Sequence, residues 1–173
     1  MLTPHSLLSH GGSDSLGKDR IYCIVQCLQK YDTALTEIHT NVQVLFGKTP
    51  DLTPAFQQEY VQALHEKMQV CKALVQKLQT HLLQLKGLCK FLETLEKAPN
   101  DCYFKTLSLL DAMILVERVV GAYAVQTCAN EDLLKRMLRG DGKMRETLTM
   151  FSIQPVTHAV KHYRAMLYVD CVK

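Results

Sequence analysis

Residues 56–97 read FQQEYVQALHEKMQVCKALVQKLQTHLLQLKGLCKFLETLEK, and within them Met68, Cys71, Val75, Leu78, Leu82, Leu85, Cys89 and Leu92 recur at alternating spacings of three and four. A repeat averaging about 3.5 residues places all of them on one stripe of an α-helix. Thr53 and Pro54 open the helix as N-cap and first helical residue, because proline lacks an N–H that would be unpaired there anyway. Ala98-Pro99 closes it. Leu74, Leu88 and Leu95 flank the stripe and widen it beyond a two-stranded seam, so the helix has at least two neighbours. Lys72, Lys86 and Glu93 line the other flank and read as solvated charges. Gly87 is the weak point, at a cost of about 1 kcal/mol relative to alanine.

A second seam lies upstream. Ile21, Ile24, Leu28, Tyr31, Leu35, Ile38, Val42 and Leu45 repeat with the same alternation, with Asp14 or Ser15 as the expected cap and Gly47 and Pro50 as the stop. Downstream, Tyr103, Leu107, Leu110 and Ile114 begin a third helix. Its middle, residues 112–125, is nearly all apolar apart from Glu117 and Arg118. A helix apolar around most of its circumference is expected to be central. Asn130 is a candidate break, and Gly140-Asp141-Gly142 a stop. A short amphipathic piece with Met144, Leu148 and Phe151 follows, then Ile153-Gln154-Pro155, then a last helix with Val156, Val160, Tyr163 and Leu167.

The expected fold is therefore all-α: an elongated antiparallel helical bundle built on a long heptad-patterned helical hairpin. Helices are expected at about 18–46, 53–97, 103–139, 143–152 and 156–170. They form one domain over 18–173, behind a disordered tail over 1–17 that mixes Ser, Gly, His and Pro without a period. Helix 2 would span about 65 Å and helix 1 about 43 Å, leaving an end of helix 2 uncovered by its hairpin partner. Leu78, Leu82, Leu85, Leu88, Leu92 and Leu95 at that end are the candidate partner-binding residues, through helix–helix packing in a homo- or hetero-oligomer.

Composition narrows the function classes. The 173 residues carry 47% hydrophobic and 21% charged residues, with eight glycines and five prolines, too few turn formers for a β-rich fold. The net charge of +3 is spread along the chain, so neither nucleic acid nor a membrane surface is demanded as a partner. Seven cysteines, an odd number, fall largely among apolar residues; Cys71, Cys89, Cys128 and Cys171 read as buried thiols of a reducing compartment. No secretory or mitochondrial signal is legible, and no apolar run is long enough to span a bilayer. The expected location is the nucleus or the cytoplasm.

Catalytic signals are sparse, and the chain is expected to be neither an enzyme nor a cofactor protein. Gly47-Lys48-Thr49 imitates the end of a phosphate-binding loop, but Val42 stands where that loop needs glycine, and a helix rather than a strand precedes it. His158 and His162 are one helical turn apart without the glutamate of the metalloprotease pattern, so no metal is expected. Cys23 and Cys27 share a turn off the seam and read as part-exposed thiols. Lys135, Arg136, Arg139, Lys143 and Arg145 bracket the Gly-Asp-Gly turn and form a candidate patch for an anionic partner, acidic protein or nucleic acid. Basic residues favoured at a helix C-terminus account for the same cluster.

The order of features in the C-terminal third resembles the cyclin-dependent kinase 2-interacting protein family. An apolar helix holding Val116-Glu117-Arg118-Val119-Val120 is followed by Leu148-Thr149-Met150-Phe151 and Gln154-Pro155, where that family has Leu-x-Met-Trp and Gln-Pro-Tyr. The long helix from Glu59-Tyr60 to Gly87-Leu88-Cys89 is similar too. The chain departs at Phe151 (Trp in the family), at Val156 (Tyr) and by its extra terminal helix. The resemblance implies a nuclear, non-catalytic adaptor in an assembly for chromatin replication, checkpoint signalling or ribosome maturation. Periodicity alone fits a coiled-coil subunit of a cytoskeletal, centrosomal or vesicle-tethering complex equally well, and the basic cluster fits a nucleic-acid-associated protein.

Overall fold

Both heptad seams close on one core. In the computed structural model, which describes residues 12–48, 53–94, 104–140, 144–152 and 158–171, the helices are α1 (Gly12–Lys48), α2 (Pro54–Thr94), α3 (Leu109–Arg139), α4 (Met144–Ser152) and α5 (His158–Asp170). No strand occurs among the described residues, and the fold is an all-α helical bundle. Every residue of the α1 seam is buried, and so is every residue of the α2 seam except Leu82, which is half-buried. None of these helices is long and apolar enough to cross a membrane.

Cross-helix contacts set the directions. Lys67 meets Glu37 at 2.7 Å and Arg20 meets His81 at 3.1 Å, so α1 and α2 run antiparallel. Lys72 pairs with Glu131 at 3.0 Å and Lys86 with Glu117, which makes α3 antiparallel to α2. These two lysines, expected to be solvated, are thus tied to α3. Tyr31 stacks on Tyr123 with 4.2 Å between ring centroids, and Tyr22 meets Phe104 edge-on at 5.8 Å, leaving α1 and α3 parallel. The fourth position is filled by two short helices: α4 packs on α1 and α3, and α5 on α3.

The boundaries differ from the sequence expectation for physical reasons. Helix α1 begins at Gly12 instead of residue 18, which puts Asp14 and Ser15 inside it and removes six residues from the expected tail; residues 1–11 lie outside the described set. Tertiary packing supports this extension, since Gly17 lies so close to α3 that a Cβ there would stand 2.6 Å from Leu109 Cδ2. Helix α2 starts at Pro54, as its cap signal indicates, with the Gln57 N–H donating to the Thr53 carbonyl at 3.0 Å.

Helix α3 begins at Leu109 and not at 103. Ser108 is its N-cap, with Oγ accepting the Asp111 N–H at 3.1 Å and donating to the Asp111 carboxylate at 2.7 Å. The expected opening seam is therefore not the packing face: Leu107 precedes the helix, Leu110 is half-buried, Ile114 is exposed, and Tyr103 lies outside the described residues. The helix passes Asn130 without a break and stops at Gly140, whose φ of 71° is the left-handed conformation that ends helices.

With 37 residues, α1 extends about 55 Å against about 62 Å for the 41 of α2. Helix α3 covers another side of α2. Among the described residues, α2 has no long end left uncovered.

Candidate protein-interaction face

That correction changes the expected partner-binding residues. Leu78, Leu85 and Leu92 are buried inside this chain, and Leu82 and Leu88 pack half-buried against the same core, so α1 and α3 already occupy the seam. Leu95 lies outside the described residues. Of the basic cluster, Lys135 leans on Glu131 at 3.4 Å and Asp132 at 3.9 Å, while Arg136 and Arg139 are exposed in the last turn of α3. Lys143 and the side chain of Arg145 fall outside the described set, as does the side chain of His158; His162 is exposed. Among the described residues, no three His, Cys, Asp or Glu side chains are grouped to hold a metal ion.

The cysteines divide differently from the expectation. Cys71, Cys89 and Cys171 are buried; Cys27 is buried too, because it lies three residues after the core Ile24 and four before the core Tyr31. Cys128, expected inside, is exposed. Burial, with the Asp170 charge adding to it, pushes the Cys171 thiol up to about 12, and burial with the Glu37 charge pushes Cys71 up to about 11. Neither is a thiolate nucleophile at neutral pH.

A polar cluster joins α1, α3 and α5. The Asp32 carboxylate accepts from the Tyr123 hydroxyl at 2.5 Å, the Tyr168 hydroxyl at 2.5 Å and Arg164 Nη1 at 2.9 Å, and the same Arg164 nitrogen donates to Tyr123 Oη at 3.0 Å. Tyr31 Oη and Thr127 Oγ1 share a hydrogen bond of 2.8 Å beside it. Burial first, then bonding to the carboxylate, raises the Tyr123 and Tyr168 phenols above their ordinary range. They stay protonated as donors, and the cluster clamps α5 to the bundle. At the end of α5, Asp170 accepts the N–H groups of Thr106 and Leu107 at 3.0 and 2.8 Å. Burial alone would raise its carboxyl, but the donors from Leu107 and Thr106 outweigh burial and hold it below the ordinary carboxylate range.

The surface that stands out is the outward side of the α2/α3 pair. On α2, Gln69, Ala73, Gln76, Thr80, Leu83, Gly87, Lys90 and Thr94 repeat the three-four alternation in a second phase; all are exposed, Lys90 is the one charged member, and Phe91 adds a ring to the same side. Thr80 and Thr94 donate their hydroxyls to the carbonyls of Gln76 and Phe91, at 3.1 and 2.6 Å, so those donors are satisfied within the helix. On α3, Ile114, Gly121, Val125 and Cys128 are exposed. Leu83 keeps 70% of its area in solvent and Val125 65%, far above their neighbours on the core side. The Lys86–Glu117 pair sets the register. Leu83 and Gly87 lie within a turn of Lys86, and Ile114 and Gly121 within a turn of Glu117, so the four stand at similar heights along the pair.

Gly87 and Gly121 are the second peculiarity of this face. A Cβ added to either would meet nothing within 4 Å, so internal packing requires glycine at neither position. Each nevertheless lowers helix stability by about 1 kcal/mol relative to alanine. The apolar excess of helix 3 and the weakness at Gly87 are legible in the sequence, but the face is not, because the weaker second phase of α2 is masked by the stronger leucine phase. No family model, curated protein or solved structure matches the chain.

Proposed function

We propose that this chain is a non-catalytic helical adaptor subunit of a multiprotein complex, which presents the outer α2/α3 face to a helix of a partner protein. The observation that carries this reading is the exposure of Leu83 and Val125, with 70% and 65% of their area in solvent, on the outward sides of α2 and α3. An isolated bundle gains nothing by leaving large aliphatic side chains in solvent beside helix-interior glycines, whereas exposed apolar surface bordered by polar residues marks interaction sites. The hydrogen-bonded polar groups support the same reading: the tyrosines, Asp32, Arg164 and Asp170 are engaged in holding helices together. A nuclear assembly of the kind implied by the family resemblance is the proposed setting.

The test is a paired substitution, Leu83→Asp with Val125→Asp, in the tagged full-length chain expressed in cells. The native chain is expected to migrate on a sizing column as part of a species larger than one copy. The double variant is expected to migrate alone while keeping its helical circular dichroism. An unchanged large species in the variant would refute the role of this face.

A further inference from the structure

The geometry points to α5 as a releasable latch, which detaches on its own while α1, α2 and α3 stay folded and so gates access to the side of α3 that holds Gln126 and Asn130. The α2/α3 face plays no part in this.

Polar contacts dominate the hold on α5. Among its described side chains, Leu167 is the one buried apolar group; Val160, Tyr163 and Tyr168 pack half-buried, and Met166 and Val169 are exposed. The remaining ties are hydrogen bonds. Arg164 and Tyr168 reach Asp32 of α1, Arg118 Nη1 donates to Tyr163 Oη at 3.0 Å, Lys105 Nζ donates to the Val169 carbonyl at 3.0 Å, and Asp170 accepts from Thr106 and Leu107. A segment docked through few buried apolar groups belongs to the least stable part of a fold. Its 13 residues are also too few to persist as an isolated helix, so release exposes its backbone amides to solvent.

The side of α3 beneath this end of the latch disfavours closure. Tyr163 meets Arg118 and Asp170 meets Leu107, so α5 lies antiparallel on α3, and at about 1.5 Å per residue its first turn comes level with Tyr123 and Gln126. Gln126 follows Tyr123, the partner of Arg164, by three residues and shares its side of the helix. It is 1% exposed, and neither end of its amide has a hydrogen-bond partner; Asn130, one turn further and 3% exposed, has none for Nδ2. Thr127, by contrast, is satisfied by Tyr31 of α1. Buried amides with unmade hydrogen bonds weaken the packed state and find partners in water, so opening is favoured where α5 begins.

Hydrogen–deuterium exchange of the full-length chain, read by mass spectrometry on peptides of α5 and α2, tests this. The α5 amides are expected to exchange faster than those of α2, and low urea should accelerate α2 steeply and α5 little, because a local opening exposes little surface. Leu64 is fully buried on α2, one turn from the Lys67–Glu37 pair. Leu64→Ala is expected to speed α2 exchange by about thirtyfold or more and leave α5 unchanged, since its contacts are lost only when the whole bundle unfolds. Arg164→Met should speed α5 exchange by about tenfold or more, and Gln126→Met, which removes the unpartnered amide at similar volume, should slow it by about fivefold or more. Exchange of α5 and α2 at one rate with one urea dependence, an equal response of both to Leu64→Ala, or an α5 rate that Arg164→Met leaves unchanged or Gln126→Met fails to lower would overturn the inference. Should the Leu64→Ala chain not fold, the urea dependence of the native chain decides between one unfolding unit and two.

Discussion

Asp32 sits among donors that come from α3 and α5, and the chain separations of those contacts, 91 residues to Tyr123 and 136 to Tyr168, explain why sequence pattern could not expose them. Tyr31, one residue earlier, was legible as a seam residue because its neighbours repeat every third or fourth position. Its hydroxyl partner Thr127 was not, since a period encodes burial and carries no information about which polar group waits across the core. The cluster has a consequence at high pH. Burial raises Tyr31, Tyr123 and Tyr168 above the ordinary phenol value of 10, and raises Cys171 to about 12. Groups whose folded-state values lie above their unfolded ones contribute stability that is complete below the unfolded value and is lost as pH rises through the folded one. The native chain is thus expected to lose stability progressively above pH 10, the usual phenol value. Tyrosinate absorbance of the buried Tyr31 and Tyr123 and the half-buried Tyr168 should appear together with loss of helical circular dichroism. Free ionisation of all tyrosines near the ordinary value, with helicity intact, would contradict their burial.

At the level of the helices, the interiors were readable and several ends were not. A seam of branched and leucine side chains at a period near 3.5 needs no tertiary information, and Gly140 announces a stop by the conformation it alone adopts readily. The start of α3 was misplaced because the Thr106 and Leu107 N–H groups, which would have continued a helix upstream, bond instead to Asp170, 64 and 63 residues away. The start of α1 was misplaced because Gly17, a weak helix former, is used for close packing on Leu109. Glycines within helices therefore separate into two kinds. Gly17→Ile is expected to destabilise the fold by about 1–3 kcal/mol, because added bulk at a close approach forces α1 and α3 apart. Gly87→Ala and Gly121→Ala are each expected to stabilise it by roughly 0.5–1 kcal/mol. Urea denaturation of the three variants measures both signs; equal effects at all three would remove the distinction on which the interaction face rests.

For the molecule as a whole, the all-α architecture followed from two seams and few turn formers, whereas the site did not follow from the strongest leucine pattern. That pattern has high amplitude because it faces the core, and a surface for a partner must be weaker than a core or the bundle would aggregate before meeting it. The expected excess length of α2 disappeared once α1 gained its extra turns, so the surplus apolar area lies across the outer face of a helix pair and not at the end of one helix. Neighbouring positions on α2 distinguish the two roles. Leu85 has no solvent exposure and Leu83 keeps 70%. Leu85→Asp would place an unpaired carboxylate in the core, an expected loss of about 4 kcal/mol or more that leaves little of a domain stability of about 5–15 kcal/mol. Leu83→Asp should stay within about 0.5 kcal/mol of the native chain, as surface changes do. Thermal melts of the two variants decide the matter. If Leu83→Asp unfolds the chain as Leu85→Asp does, the outer side of α2 belongs to the core and the interaction face must be sought elsewhere; if it melts with the native chain, the aliphatic surface it removes is not needed for folding.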